Sequence, residues 1–299
     1  MNATETEFVR LTEKNIEALA PFFTKYAYGI CDNTLGAVYQ WRDIYVSYYA
    51  VIGRCLCIRA LYGPYGDCYT VPIGCDNLNR SFDAIERDAA AGGRPLRFCV
   101  VPGQALNELE ERYGGRMKAE SIRAWADYVY DAEAFRTYAG KALHTQRNHV
   151  NRFWRDNPDA RCVMVEDAQT ERLVQAFLDE YARQHPESSA LERNELRGAR
   201  ELLHNRERLR QTAACLIAGG RVVALSIGEV KGDTLYVHVE KARLDVSGAY
   251  PAMAQAFVRL FPEVVTVNRE DDGGDEGLRY SKLQYKPREL IEKYLVTIE

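Results

Sequence analysis

Three stretches of the chain concentrate side chains able to move protons or hold charged groups. In residues 236–241, read as a strand, Tyr236, His238 and Glu240 share one face while Val237, Val239 and Lys241 share the other. His238 or Glu240 suits a general base acting on an amine, and Lys241 suits a cation that holds a carboxylate or phosphate. A cation close by would make Glu240 more acidic and a weaker base. One polar face over one apolar face is equally what a half-solvated sheet needs.

Residues 136–155 hold five cationic residues, two histidines and no acid, inside a chain whose formal net charge is -4. On a single helix, Lys141, Asn148, Arg152 and Arg155 fall on one side with His144 or Thr145 between them, and Leu143, Val150 and Trp154 fall on another. Clustered Arg and Lys supply charge-assisted donors to phosphate, so this face is read as anion-binding; a solvated helix packed by its apolar stripe is the plainer alternative. In residues 268–286, Asn268 closes a strand, five acids fall within 270–276, Asp275 can cap the next helix, and Arg279 and Lys282 lie one turn apart on it. Acids in a loop at the carboxyl end of a strand suit a substrate ammonium group, and their spacing does not match a calcium loop.

The elements that must position these residues alternate between strand and helix patterns. In the first half, helices are expected at 13–26, 79–91 and 105–113, and strands at 48–51, 55–60, 69–72, 96–101, 117–121 and 126–130. In the second half, helices are expected at 170–184, 192–208, 251–261 and 275–284, and strands at 161–165, 212–217, 221–230, 234–241, 264–267 and 290–298. The order is the same in both halves, which implies an α/β (α+β) chain with two mixed sheets flanked by helices, and domains at 1–135 and 136–299. The order within 212–298 is that of the GNAT-type acyl-CoA N-acyltransferase fold, here in tandem.

Composition sets limits on function. An acidic balance argues against a general nucleic-acid coat. No stretch approaches the ~20 apolar residues of a membrane span, and the polar start is unlike a signal peptide, so the expected location is cytoplasmic. The eight cysteines, Cys75 among them, include no Cys-x-x-Cys pair and are read as reduced core thiols, with no metal site. Nucleophile elbow, Walker A, dinucleotide and zinc-peptidase signatures are missing. An acyl-CoA turn of the form Arg/Gln-x-x-Gly-x-Gly/Ala is only partly met: Gly248 is present, Asp245 stands at the Arg/Gln position, and Tyr250-Pro251 follows.

The blocks GKALHTQRNHVNRF and NREDDGGDEGLRYSKLQYKP, together with GAYPAMAQAF, resemble the C-terminal synthase domain of phosphatidylglycerol lysyltransferases, including its soluble relatives of unassigned function. That resemblance implies a tandem GNAT fold, and, for the membrane-bound members, transfer of an aminoacyl group from charged tRNA to a lipid head group. It marks Lys141, His144, Arg147, Asn148, Asn151 and Arg152 in the first block, and Asn268, Glu270, Asp271, Gly274, Arg279 and Lys282 in the second, as substrate-binding, and Tyr250 is grouped with them. The membrane-embedded N-terminal portion of those enzymes has no counterpart here. The expectation is an aminoacyl or acyl transferase with His238, Glu240 and Lys241 as catalytic residues. Its donor is aminoacyl-tRNA or acyl-CoA, its acceptor a small molecule or lipid head group, and the basic helix and acidic loop meet at one pocket. The alternatives are an acyl-CoA-dependent N-acyltransferase of a small metabolite and a non-catalytic anion-binding protein.

Overall fold

A computed structural model describes residues 7–24, 28–74, 78–185 and 190–299, without the side chains of 190 and 191. The chain forms two compact units. One runs to Ala126 and takes in Ile291–Glu299; the other is Asp127–Leu290.

The first unit contains strands β1 (Val9–Arg10), β2 (Tyr48–Ile52), β3 (Cys55–Leu61), β4 (Asp67–Tyr69), β5 (Arg97–Pro102) and β6 (Met117–Ser121). Its helices are α1 (Ala20–Phe23), α2 (Leu35–Trp41), α3 (Asn79–Ala91) and α4 (Leu106–Tyr113). Helix α3 buries Phe82, Ile85 and Ala89, a spacing that puts all three on one stripe, against Tyr69, Phe98 and Val101 of the sheet.

The second unit contains β7 (Asp127–Asp131), α5 (Ala132–Thr137), α6 (His144–Asp156), β8 (Arg161–Met164), α7 (Ala168–Gln184) and α8 (Ala190–His204). It continues through β9 (Thr212–Ala218), β10 (Arg221–Lys231), β11 (Thr234–Ala242), α9 (Ala249–Arg259), β12 (Thr266–Asn268), α10 (Glu276–Gln284) and β13 (Glu289–Ile291). Carboxylates cap three of its helices: Asp131 accepts from the Ala134 amide, Asp167 from those of Gln169 and Thr170, and Asp275 from that of Leu278. The sheet order is β13-β7-β12-β11-β10-β9-β8, with β11 and β12 parallel. On one face, α5, α6 and α9 build a single core from Phe135, Tyr138, Val150, Phe153, Met253 and Phe257 over Ala214, Leu216 and Val237. Helices α7 and α8 pack on β10 with a separate buried set that includes Val174, Phe177 and Leu178.

Strand β14 (Lys293–Ile298) returns to the first unit, whose sheet order is β1-β2-β3-β4-β5-β14-β6. The boundary read from sequence at 135/136 therefore differs from the structure on two counts. Strand β7 pairs with β12 in the second sheet, and the last strand pairs with β5 and β6 in the first. Both pairings are non-local, and a reading of element order along the chain cannot register them.

The basic stretch 136–155 is two helices, not one. Tyr138 takes a left-handed conformation (φ 46°) and Gly140 follows at φ 81°, which ends α5 and turns the chain before α6. Arg136 stays with α5 and donates to the carbonyls of Phe261, Pro262 and Val264. Cys55 is disulfide-bonded, which corrects the all-thiol reading; Cys31, Cys57, Cys68, Cys99, Cys162 and Cys215 are free thiols, and Cys75 lies outside the described residues. The last two residues of the helix expected at 13–26 also lie outside them.

Helix α9 starts from Gly248 at φ 79°, where an added Cβ would sit 2.4 Å from the His149 carbonyl of α6. Gly248→Ala should therefore lose about 2 kcal/mol or more, from left-handed strain plus overpacking. Gly140→Ala, at a similar φ but with open space around it, should lose about half as much. Urea midpoints of the two variants test the difference.

Candidate active site

The site is organised by a fault in β11. Its ladder with β10 matches Val237 to Gly228 and Val239 to Ile227, so His238 has no partner and forms a bulge. Gly228 is required opposite it, because a Cβ there would lie 2.2 Å from the Tyr236 carbonyl oxygen. The bulge reverses the alternation: Leu235, Val237 and then Ala242 all join the core under α9. His238 and Glu240, expected on one face, consequently point to opposite faces.

Strand β12 leaves β11 at the same level. Their parallel pairing covers only Thr234–Tyr236 with Thr266–Asn268. Beyond it the backbone follows β7: the Arg269 amide donates to the Tyr128 carbonyl and the Tyr128 amide to the Glu270 carbonyl, each at 3.0 Å. Charged side chains fill the gap so opened. Arg269 and Glu270, being consecutive, take one face each.

On the face away from α9, the His238 ring is 0% exposed and lies between two carboxylates: Nε2 is 3.0 Å from Glu229 and Nδ1 is 2.7 Å from Glu270. A neutral imidazole can donate from one nitrogen only, so two carboxylate partners favour the doubly protonated ring. Burial opposes that charge, yet Glu229 and Glu270 outweigh it and raise the His238 pKa to about 9. Burial also pushes the Glu270 carboxyl upward, with His238 pulling it back. With both nitrogens committed, His238 has no lone pair for general-base chemistry.

On the α9 face, Glu240 accepts through Oε2 from Arg269, from Nε at 2.8 Å and also from Nη2. The guanidinium carbon of Arg269 lies 4.5 Å from the Tyr285 ring centre, 5.6 Å from Phe135 and 5.8 Å from Tyr130. Oε1 of Glu240 takes no hydrogen bond among the described residues. Tyr250, second residue of α9, is close to Glu240 and Tyr181; burial first and then Tyr181 push its phenol pKa up.

The loop carrying Arg269 and Glu270 is fixed by buried polar groups. Glu270 adopts φ 59°, an uncommon conformation for a side chain of its size. Lys282, buried, donates from Nζ to the carbonyls of Arg269, Glu270 and Asp271, and burial pulls its pKa down. Asn268 donates to Asp127 at 2.8 Å and accepts from the Glu270 amide at 2.8 Å. Asp272 accepts from Tyr128 at 2.6 Å and from Arg279 at 2.9 and 3.0 Å. Burial disfavours its charge, but Arg279, Tyr128 and the Gly274 amide prevail and bring Asp272 to about 2. The Gly273 amide donates to Asp271 at 2.9 Å.

The structure thus joins the second block to β11, and most of that block is framework: Asn268, Arg279 and Lys282 are committed to loop carbonyls and carboxylates. Lys241 is paired too, with Glu195 at 2.9 Å and beside the Tyr181 ring. The first block has other partners. Arg147 donates to the carbonyls of Tyr138 and Gly140, and Arg152 and Arg155 both engage Asp156. Lys141, His144, Asn148 and Asn151 are exposed, and α6 is anchored to α9. Sequence reading passed over Arg269, Glu229 and Ser226. The acid in the otherwise apolar run of β10 was a usable signal for Glu229; nothing in the sequence marks Arg269 apart from its neighbours.

The sequence matches the family described as phosphatidylglycerol lysyltransferase, C-terminal, over residues 23–297. The chain belongs to that family. It is similar to an uncharacterised protein of Mycoplasmoides gallisepticum, with 23% identity over 203 residues covering 66% of this chain and 63% of the relative, so the match spans less than two thirds of that relative's length. Among solved structures it is similar to a conserved protein of unknown function from Bacteroides thetaiotaomicron (29% identity, TM-score 0.89, 98% of this chain and 100% of that one). It is also similar to L-PGS from Bacillus licheniformis (15% identity, TM-score 0.67, 97% and 93% of the two chains). Each unit carries a mixed sheet flanked by helices, and at 15% identity the likeness to L-PGS is one of fold. Among the described residues no helix is long and apolar enough to cross a membrane.

Because the His238 pKa is raised from 6.5 to about 9 on folding, its contribution to stability is complete below about pH 6.5 and is lost as pH rises through 9. Chemical denaturation of wild type across pH 6 to 10 should show that fall, and His238→Gln should flatten it. A wild-type curve level through pH 9 would remove the charged-imidazole assignment.

Proposed function

We propose that the protein transfers an aminoacyl group from an activated ester, with aminoacyl-tRNA as the donor, to a hydroxyl or amine acceptor, and that Glu240 is the general base. The supporting observation is the state of one carboxylate. Glu240 stands where β11 and β12 part, its Oε2 is held by Arg269, and its Oε1 takes no hydrogen bond among the described residues. An oriented carboxylate with one open oxygen can take a proton from an attacking nucleophile.

The step balances without a cofactor. The acceptor's lone pair forms a bond to the acyl carbonyl carbon, the carbonyl π electrons move to oxygen, and Glu240 Oε1 takes the acceptor proton. Collapse of the tetrahedral species breaks the ester C–O bond, and the leaving hydroxyl takes the proton back from Glu240. An activated ester needs little covalent help, so positioning supplies much of the rate. The exposed α6 face with Lys141, His144, Asn148, Asn151 and Arg152 is suited to donor phosphates. Family membership makes the phosphatidylglycerol head group the first acceptor to test, and a charged-tRNA donor accords with the cytoplasmic location read from the sequence.

The acyl-CoA reading has less support. Asp245, at the position where that turn wants Arg or Gln, is bound to Arg243 at 3.1 Å. Gly248 is packed against α6, and Pro251 removes an amide.

The test is transfer from radiolabelled aminoacyl-tRNA, with phosphatidylglycerol vesicles and soluble amines or diols as parallel acceptors. Glu240→Gln keeps an oxygen for Arg269 and should lower kcat by about 100-fold or more while the protein stays folded. Failure of the wild type to transfer from any charged tRNA, with acetyl-CoA binding tightly by calorimetry, would reverse the choice of donor.

A further inference from the structure

Strand β6 ends the first unit's sheet, and among the described residues β14 is the strand it pairs with. Lys118, Ala119, Glu120 and Ser121 are all exposed. The pairing runs without a bulge from Met117 opposite Ile298 to Ser121 opposite Tyr294. Its two ends show which backbone groups it uses. The Ile122 amide donates to the Lys293 carbonyl and the Glu299 amide to the Arg116 carbonyl, each at 3.0 Å. Hydrogen-bonded pairs alternate along an antiparallel ladder, so Lys118 and Glu120 also turn their backbone toward β14. Met117, Ala119 and Ser121 turn theirs outward, to the open edge.

Exposed edges are commonly blunted by a proline, a bulge or a lysine. Strand β6 has neither proline nor bulge, and its Lys118 is matched by Glu120 two residues on. Lys118 also meets Glu299, an exposed pair of the kind that contributes little. The two charges flank Ala119 symmetrically. An antiparallel copy of the same strand, centred on Ala119, therefore sets Lys118 opposite Glu120 and Glu120 opposite Lys118. Centring on Lys118 or on Glu120 would instead oppose like charges, which is destabilising.

We propose that β6 pairs with β6 of a second copy of this chain about a two-fold axis at Ala119, joining two first-unit sheets edge to edge. Backbone and side chains select the same register. Ala119 with the partner's Ala119, and Met117 with the partner's Ser121, become hydrogen-bonded pairs through the groups that now face outward. Lys118 and the partner's Glu120 become a non-hydrogen-bonded pair, the type in which side chains lie closer. Such a contact is isologous, so it closes at two copies. It uses residues of the first unit alone and does not depend on the transferase reading.

Sedimentation of the full chain from about 1 to 500 μM should show a concentration-dependent dimer. Lys118→Glu and Glu120→Lys each bring like charges together at both pairs, and each alone should raise the dimer Kd about 10-fold or more. Mixed in equal amounts, the two variants match at both pairs and should associate with near wild-type Kd. Ala119→Pro removes an amide that β14 does not use, so it should abolish the dimer with Tm close to wild type. A wild type that stays monomeric over the whole range would overturn the proposal. So would single variants that dimerise as well as wild type, or a mixture no tighter than either variant alone.

Discussion

The second unit depends on the cost of putting charge where two parallel strands separate. Beyond Tyr236 and Asn268 no strand among the described residues pairs with β11 on that side, and the gap is filled by Glu240 with Arg269 on one face and by His238 with Glu229 and Glu270 on the other. Buried ions are tolerated only when their partners are well placed, since desolvation alone costs several kcal/mol per ion. That requirement explains the rest of the local architecture. Lys282 gathers three consecutive carbonyls of the loop, Asp272 ties the loop to Tyr128 and Arg279, and Glu270 is held in a conformation that few residues of its kind adopt.

This arrangement separates two kinds of buried charge. The His238 ring is closed: each of its nitrogens has a carboxylate. The Glu240 group is open by one carboxylate oxygen and one guanidinium nitrogen. Two titratable residues two positions apart thus differ in what they can do because a bulge turns them to different faces, and the difference is one of hydrogen-bond completeness more than of intrinsic acidity.

Much of the fold was legible because local rules govern it. Helix α3 lies where its apolar spacing and the following Gly92 put it, and Asp275 caps α10 as its place before an apolar-periodic segment implies. What escaped was non-local. The return of β14 to the first sheet and the entry of β7 into the second are matters of pairing between distant segments. The alternation rule failed at His238 for a related reason: a bulge changes the count by one, and its only trace in the sequence is a glycine on the neighbouring strand. Arg269 was hidden because a cation in an acid-rich stretch looks like a solvated partner until the aromatic rings beneath it are known.

The same packing also separates the motif blocks by task. Arg147, Asn268, Arg279 and Lys282 spend their donors on backbone carbonyls or on carboxylates of the framework, so residues that carry the family likeness mostly hold a shape. Helix α6 sits hard against Gly248 and so fixes the start of α9, which in turn brings Tyr250 next to Glu240. A turn closed in this way has few amides free for a diphosphate, yet it is a rigid wall for the polar cluster beneath. The packed turn gives Glu240 a fixed setting, and a base that must meet the hydroxyl or amine of an acceptor at hydrogen-bonding distance requires that fixity more than it requires any particular pKa.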